Sequence, residues 1–219
     1  MQKAFDSLDW KFIDDVLVAL QVPDIFIQWI LSCITSPMFS ISINGGLAGY
    51  FKGARGVRQG DPLFPYLFVI CMNVLSRLLD KAEEHGVFSF HPKCKRIGLT
   101  HRCFADNLLI FAKGNVDSVV GIQKVLQLFY SFSGLQLNCA KTEMYSSGFK
   151  KEILEVIQQR TGFRIGHLPV RYLGVPPVTR RLTDSDCAPL VEKITARINH
   201  WAAKFLSYTG RYQLIQCSV

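Results

Sequence analysis

Acidic residues are scarce in this chain. In 219 residues, 17 Asp and Glu stand against 25 Lys and Arg, giving a formal net charge of +8 and an isoelectric point near 9.2. The imbalance favours a polyanionic partner, either nucleic acid or an anionic membrane surface. Uninterrupted hydrophobic runs are also missing. Pro23-Asp24 breaks the apolar stretch Val16 to Ile34, and Pro65, Asn73 and Arg77 interrupt Leu63 to Leu79, so neither reads as a membrane span. No basic segment, apolar core and cleavage site follow Met1, and no secretory route is expected. The seven cysteines (Cys33, Cys71, Cys94, Cys103, Cys139, Cys187 and Cys217) are odd in number and contain no CxxC pair. They argue against a disulfide framework and fit a reducing compartment, nuclear or cytoplasmic. Internal repeats and low-complexity tracts are absent as well.

What is present is a hydrophobic fraction of 49%, ample for a real core in one large or two small domains. Ile13, Val16, Leu17 and Leu20 recur at helical spacing, and Phe26, Trp29, Ile30 and Cys33 repeat the pattern beyond Pro23, predicting two short amphipathic helices. Phe39, Ile41 and Ile43 alternate with serines up to Asn44-Gly45, which predicts a tight hairpin returning through Tyr50-Phe51. Asp61-Pro62 reads as an N-cap and first turn of a helix carrying Leu67, Phe68, Cys71, Val74, Leu75, Leu78 and Leu79, closed by Gly86.

Apolar strand arms surround Ala105-Asp106-Asn107, a helix is expected over Val116 to Phe132 with Gly134 as its cap, and Leu135-Gln136-Leu137 reads as a strand. Glu152 to Gln159 is expected to be helical, Arg171 to Val175 extended, and Asp184 to Leu206 helical with Leu190, Val191, Ile194, Ile198 and Trp201 on one face. Helices and hairpins alternate without a regular βαβ rhythm, so the expected class is α+β with an antiparallel sheet packed on helices.

Two motifs carry chemistry. Gly56-Val57-Arg58-Gln59-Gly60-Asp61-Pro62-Leu63 joins a strand to a helix, with glycines where the backbone must turn or lie close to a ligand. Phe104-Ala105-Asp106-Asn107 sets an acid at the tip of an apolar hairpin, where a carboxylate can reach a metal or a phosphate. In order along the chain, Gln2-Lys3-Ala4-Phe5-Asp6, these two motifs, Gly134-Leu135-Gln136-Leu137-Asn138 with Lys141, and Tyr172-Leu173-Gly174 resemble successive motifs of LINE-type (non-LTR) retrotransposon reverse transcriptases. The tail Trp201 to Ile215 is similar to the start of the thumb in plant members.

The resemblance implies a polymerase palm over 1–178, with the fingers and the start of the first motif missing, and the beginning of a thumb over 179–219. It implies an RNA template, a DNA primer and deoxynucleoside triphosphates as partners, Mg²⁺ as cofactor, and no membrane. Two metal ions require carboxylates that face each other across two strands. The first of these would precede Met1, and the paired acids of the hairpin are here Asp106 and Asn107, a neutral amide that is a poor ligand for a hard cation. The expectation is weak or absent metal binding, with Asp106 the remaining acid, and a catalytically inactive copy.

By position, Phe5 matches the aromatic that excludes a ribose 2′-hydroxyl, and Arg58, Gln59 and Gly60 match the loop against template and incoming nucleotide. Lys141 matches a basic residue near the triphosphate, and Tyr172, Leu173 and Gly174 match the primer grip. Phe64 departs from the family's usual serine.

Blander readings stand beside these. Asp106-Asn107 suits plain turn chemistry, and Asp6 and Asp9 suit helix caps. His91, Cys94, His101 and Cys103 imitate zinc-ligand spacing, although Cys103 lies among core residues. The stretch Lys93 to Arg102 fits either a solvated loop or a phosphate backbone. The rival functions are a non-catalytic basic nucleic-acid-binding module and an element remnant without a cellular role.

Overall fold

The computed structural model describes residues 4–58, 60–105, 107–146, 150–167, 183–200, 207–210 and 212–213. The chain divides into two compact units, Met1–Ile165 and Gly166–Val219.

The first unit begins with one helical turn, α1 (Ala4–Ser7), followed by α2 (Trp10–Ala19). Asp9 caps α2, its Oδ1 accepting from the Lys11 and Phe12 amides at 2.8 and 3.2 Å. Phe12, Ile13, Val16 and Leu17 form the buried stripe of α2. Then comes α3 (Asp24–Thr35), where the expected face is corrected: Ile27 and Ile34 are buried, while Phe26 and Trp29 are 51% and 56% exposed and Cys33 is exposed too. With apolar residues around most of its circumference, the packing partner rather than the periodicity chooses the buried side of this helix.

Strands β1 (Met38–Ile43) and β2 (Gly46–Lys52) pair antiparallel around Asn44-Gly45, whose positive φ values of 50° and 83° are those of a two-residue hairpin turn. The long helix α4 (Phe64–Glu84) begins later than expected. Asp61 makes a local turn instead, its Oδ1 accepting from the Leu63 amide at 2.8 Å, and Leu63 takes the cap position without a side-chain bond. At the far end the Gly86 and Val87 amides donate to Glu83 and Ala82, the paired bonds that close a helix beyond its last turn.

Strands β3 (His101–Phe104) and β4 (Asn107–Ile110) form the second antiparallel hairpin. Helix α5 (Val116–Ser133) ends at Gly134 as expected, and Asn115, which was not singled out from the sequence, caps its start. Leu135-Gln136-Leu137 forms no strand. Leu135 is buried and Gln136 exposed as in a strand, but no strand among the described residues pairs with them. Beyond it, β5 (Glu143–Met144) and β6 (Arg164–Ile165) flank α6 (Lys151–Thr161) and pair in parallel, the one departure from the antiparallel expectation among the described residues. The class is mixed helix with small two-stranded sheets.

The core of this unit is built by α2, α4 and α5. Leu8, Ile13, Leu17, Leu75, Leu79, Phe129 and Leu135 are all at most 1% exposed. The Phe12 and Phe129 rings meet edge to face at 5.9 Å.

In the second unit, α7 (Asp184–His200) starts at Thr183, whose amide and hydroxyl both donate to Asp186 Oδ2, at 2.9 and 2.8 Å. Val191 and Ile194 of the expected apolar face are exposed. The expected extended segment Arg171 to Val175 lies outside the described residues. No helix among the described residues is long and apolar enough to cross a membrane.

Candidate nucleic-acid interface and hairpin tip

Three distant segments meet around the first motif. The Gly56 amide donates to the Leu8 carbonyl at 2.8 Å, the Asp9 amide donates to Ser133 at 2.9 Å, and Trp10 Nε1 donates to the Gly56 carbonyl at 2.6 Å. Both glycines that flank this crossing have positive φ, 85° at Gly56 and 72° at Gly134. A Cβ on Gly56 would lie 2.8 Å from the Asp6 backbone, and one on Gly134 would lie 2.4 Å from the Ser7 carbonyl oxygen. The sequence assigns Gly56 to a turn or to the approach of a ligand. The structure places it against the protein's own first motif.

The same crossing opens a cavity of about 280 Å³ lined by Asp6, Trp10, Phe39, Arg55, Arg58 and Asp61, among others. Gly60 lies at the adjoining surface, in open space. Arg55 and Arg58 are exposed, and among the described residues the one ion pair is Lys81 with Glu84. Neither guanidinium is therefore neutralised by a described carboxylate, and both present planar donor forks suited to phosphate oxygens. Arg55 and Trp10 were not singled out from the sequence. The signal for Arg55 was its place three residues before Arg58.

At the hairpin, Phe104 pairs with Asn107, so Asn107 opens the returning strand and lies outside the two-residue turn; Ala105, in the turn, has φ 49°. Asn107 is exposed. The base of the hairpin is fixed to α4 by a polar chain. Thr100 Oγ1 donates to Asp80 Oδ1 at 2.8 Å, and the His101 ring bridges Thr100 Oγ1 and Ser76 Oγ, each at 2.8 Å. Burial pushes the imidazole below its usual 6.5, with Asp80 opposing and Arg102 adding to the shift. Thr100 Oγ1, whose proton goes to Asp80, accepts from Nδ1, while Ser76 Oγ also donates to the Met72 carbonyl at 3.3 Å. His101 is thus committed to structure. Cys103 donates to the Ala105 carbonyl at 3.3 Å, and His91 Nδ1 stands 4.0 Å from Cys94 Sγ.

Lys141 is exposed beside a short 3₁₀ turn, its amide donating to Asn138 Oδ1 at 3.1 Å. Lys141 and Asn107 do not line the cavity. Asp106, Gln59, the Phe5 side chain and the Tyr172-Leu173-Gly174 segment lie outside the described residues. Among the described residues no group of three or more His, Cys, Asp or Glu side chains is placed to hold a metal ion.

Residues 1–176 match the family described as reverse transcriptase (RNA-dependent DNA polymerase). The chain belongs to this family. Relatives include the Pol polyprotein of the type-2 retrotransposable element R2DM of Drosophila melanogaster, 36% identical over 141 residues, which are 64% of this chain and 13% of that protein. The Pol polyprotein of a type-1 retrotransposable element R2 of Popillia japonica is 32% identical over 148 residues, 67% of this chain and 23% of that protein. A 149 kDa protein of transposon TX1 in Xenopus laevis is 27% identical over 225 residues, 98% of this chain and 16% of its own length. The chain spans less than a quarter of each of these relatives. It is a reverse transcriptase domain of the non-LTR retrotransposon kind, as the order of its motifs implied.

Proposed function

We propose that this chain is the palm, over 1–178, and the first part of the thumb, over 179–219, of a reverse transcriptase whose polymerase chemistry is disabled in this copy. The observation that carries the proposal is Asn107. It opens β4 at the hairpin tip, where the resemblance places the second of two adjacent acids. An RNA template, a DNA primer and deoxynucleoside triphosphates are the partners of such a domain.

When bound, Mg²⁺ neutralises the triphosphate and activates the primer hydroxyl. With an amide at position 107 the hairpin offers less negative charge to hold it, leaving Asp106 as the remaining acid and the metal weakly bound or absent. Arg58, with Gln59 and Gly60, lies against template and nucleotide, and Phe5 excludes the ribose 2′-hydroxyl. Lys141 faces the triphosphate, and Tyr172, Leu173 and Gly174 hold the primer. Their residue types and their order in the chain support this reading, as do the unneutralised Arg55 and Arg58 at the cavity.

Calorimetric titration with Mg²⁺ tests the metal half. The chain is expected to show no tight paired binding, and Asn107→Asp to raise the affinity by about tenfold or more. Tight binding of two ions with Asn107 in place would overturn the reading.

The second reading, a non-catalytic nucleic-acid-binding module, is favoured by Arg55 and Arg58, exposed and without an ion pair among the described residues, and by the net charge of +8. It predicts nucleic-acid affinity that falls steeply with salt and is indifferent to the residue at 107.

A further inference from the structure

Half of the chain's net positive charge is concentrated away from the cavity. Residues 85–116 hold Lys93, Lys95, Arg96, Arg102 and Lys113 against one acid, Asp106, which makes five positive charges less one, or +4 of the total +8. All five cationic side chains are exposed. None forms an ion pair among the described residues, where the one ion pair is Lys81 with Glu84.

The segment that carries them is folded upon itself. The Cys94 and Lys95 amides donate to the His91 carbonyl at 2.8 and 3.1 Å, and Leu99 returns to Cys94 at 3.2 Å. Lys113 is fastened beside this loop by its amide bond to Ser89 at 2.8 Å, next to the Phe90–Ala112 bridge. Asp80 on α4 accepts from buried Thr100, and His101 ties the start of β3 to Ser76 on α4. The cations are therefore presented from a backbone already ordered, which lowers the entropy lost when they engage a ligand.

We propose that the loop from His91 to Arg102, together with Lys113, is a second contact surface for the phosphate backbone of a nucleic-acid strand, separate from the Arg55–Arg58 cavity. Its composition favours phosphate over protein. Protein interfaces are depleted of lysine and centred on aromatic anchors, whereas this loop is dense in Lys and Arg and exposes one large aliphatic side chain, Ile97. Guanidiniums at 96 and 102 suit bidentate contact with phosphate, and the lysines add point charges. The proposal rests on the nucleic-acid-binding part of the function above and is independent of whether the hairpin holds metal.

The test is the salt dependence of binding to a single-stranded RNA homopolymer. Three full-length chains are compared: the unaltered protein; Lys93→Gln, Lys95→Gln, Arg96→Gln, Arg102→Gln and Lys113→Gln together; and a control of equal charge loss, Lys124→Gln, Lys150→Gln, Lys151→Gln, Arg160→Gln and Arg164→Gln. Each phosphate contact contributes roughly 0.7 to the slope of log K against log salt for a single strand. The loop variant is expected to lose more than one contact's worth of slope and the control to lose less. A loop variant that keeps its slope within about 0.7, or a control that loses as much, overturns the proposal while leaving the cavity reading intact. Displacement of the RNA by polyglutamate as readily as by unlabelled RNA of equal charge would overturn it in favour of an acidic protein. Absence of salt-sensitive RNA binding by the unaltered chain would sink the nucleic-acid reading itself, with this surface as part of it.

Discussion

Asn107 and His101 stand at opposite ends of one short hairpin and are settled by different physics. Asn107 is exposed at the tip, and its neutral amide carries no charge to attract a cation. At the base His101 is half-buried and hydrogen-bonded to Thr100 and Ser76. Because burial lowers its pKa in the fold, the unfolded chain takes up a proton below about pH 6.5 that the folded chain resists. The contribution of His101 is fully present above that value and is lost as the pH falls toward the lower folded value. His101→Gln is expected to flatten the decline in urea midpoint between pH 7.5 and pH 5, and an unchanged decline would remove His101 from the cause. Cys71 shows the same desolvation in a simpler form, its thiol pushed up to about 12 by burial, so it remains an inert core residue.

At the scale of elements, the close crossing of the first motif with the ends of the Gly56 loop and α5 makes the sharpest stability prediction. Gly134→Ala adds a Cβ 2.4 Å from the Ser7 carbonyl oxygen at a residue with φ 72°. It is expected to cost about 2–4 kcal/mol, measured as a drop in urea midpoint, from left-handed strain plus overpacking. A loss below about 0.5 kcal/mol would mean that the crossing is loose in solution.

Elements whose signals are local were legible in the sequence. The Asn44-Gly45 turn, the Gly86 and Gly134 helix ends and the Val116–Ser133 helix each depend on residues within a few positions of one another. Three elements were not legible, for a common reason. The face of α3 that is buried, the lack of a strand partner for Leu135-Gln136-Leu137 among the described residues, and the two-residue parallel strands β5 and β6 are all decided by what packs or pairs from far along the chain. Asp61 differs. Its carboxylate does make a cap-like bond, but to an amide within a turn, and the helix waits until Phe64.

At the scale of the molecule, the site was legible as a list of residues and only partly as an arrangement. Arg58 and Asp6 line one cavity, which the sequence could not announce because it forms where segments about fifty residues apart cross. Lys141 stands apart from that cavity. The first unit also leaves much apolar surface uncovered. Both strands of the β1–β2 hairpin are exposed along almost their whole length, with Leu47 and Tyr50 at 70% and 73%. The exposed Phe26 and Trp29 rings meet edge to face at 5.1 Å. Surfaces of this kind are ordinarily covered by a neighbouring domain or partner, which accords with a chain that spans less than a quarter of its relatives.

The most direct measurement is primer extension on an RNA template with Mg²⁺ and with Mn²⁺, comparing the chain as it stands with Asn107→Asp. The Asn107 form is expected to be slower by about 100-fold or more. Extension by the unaltered chain at a rate near that of its Asn107→Asp counterpart would contradict the assignment of this copy as a silenced polymerase.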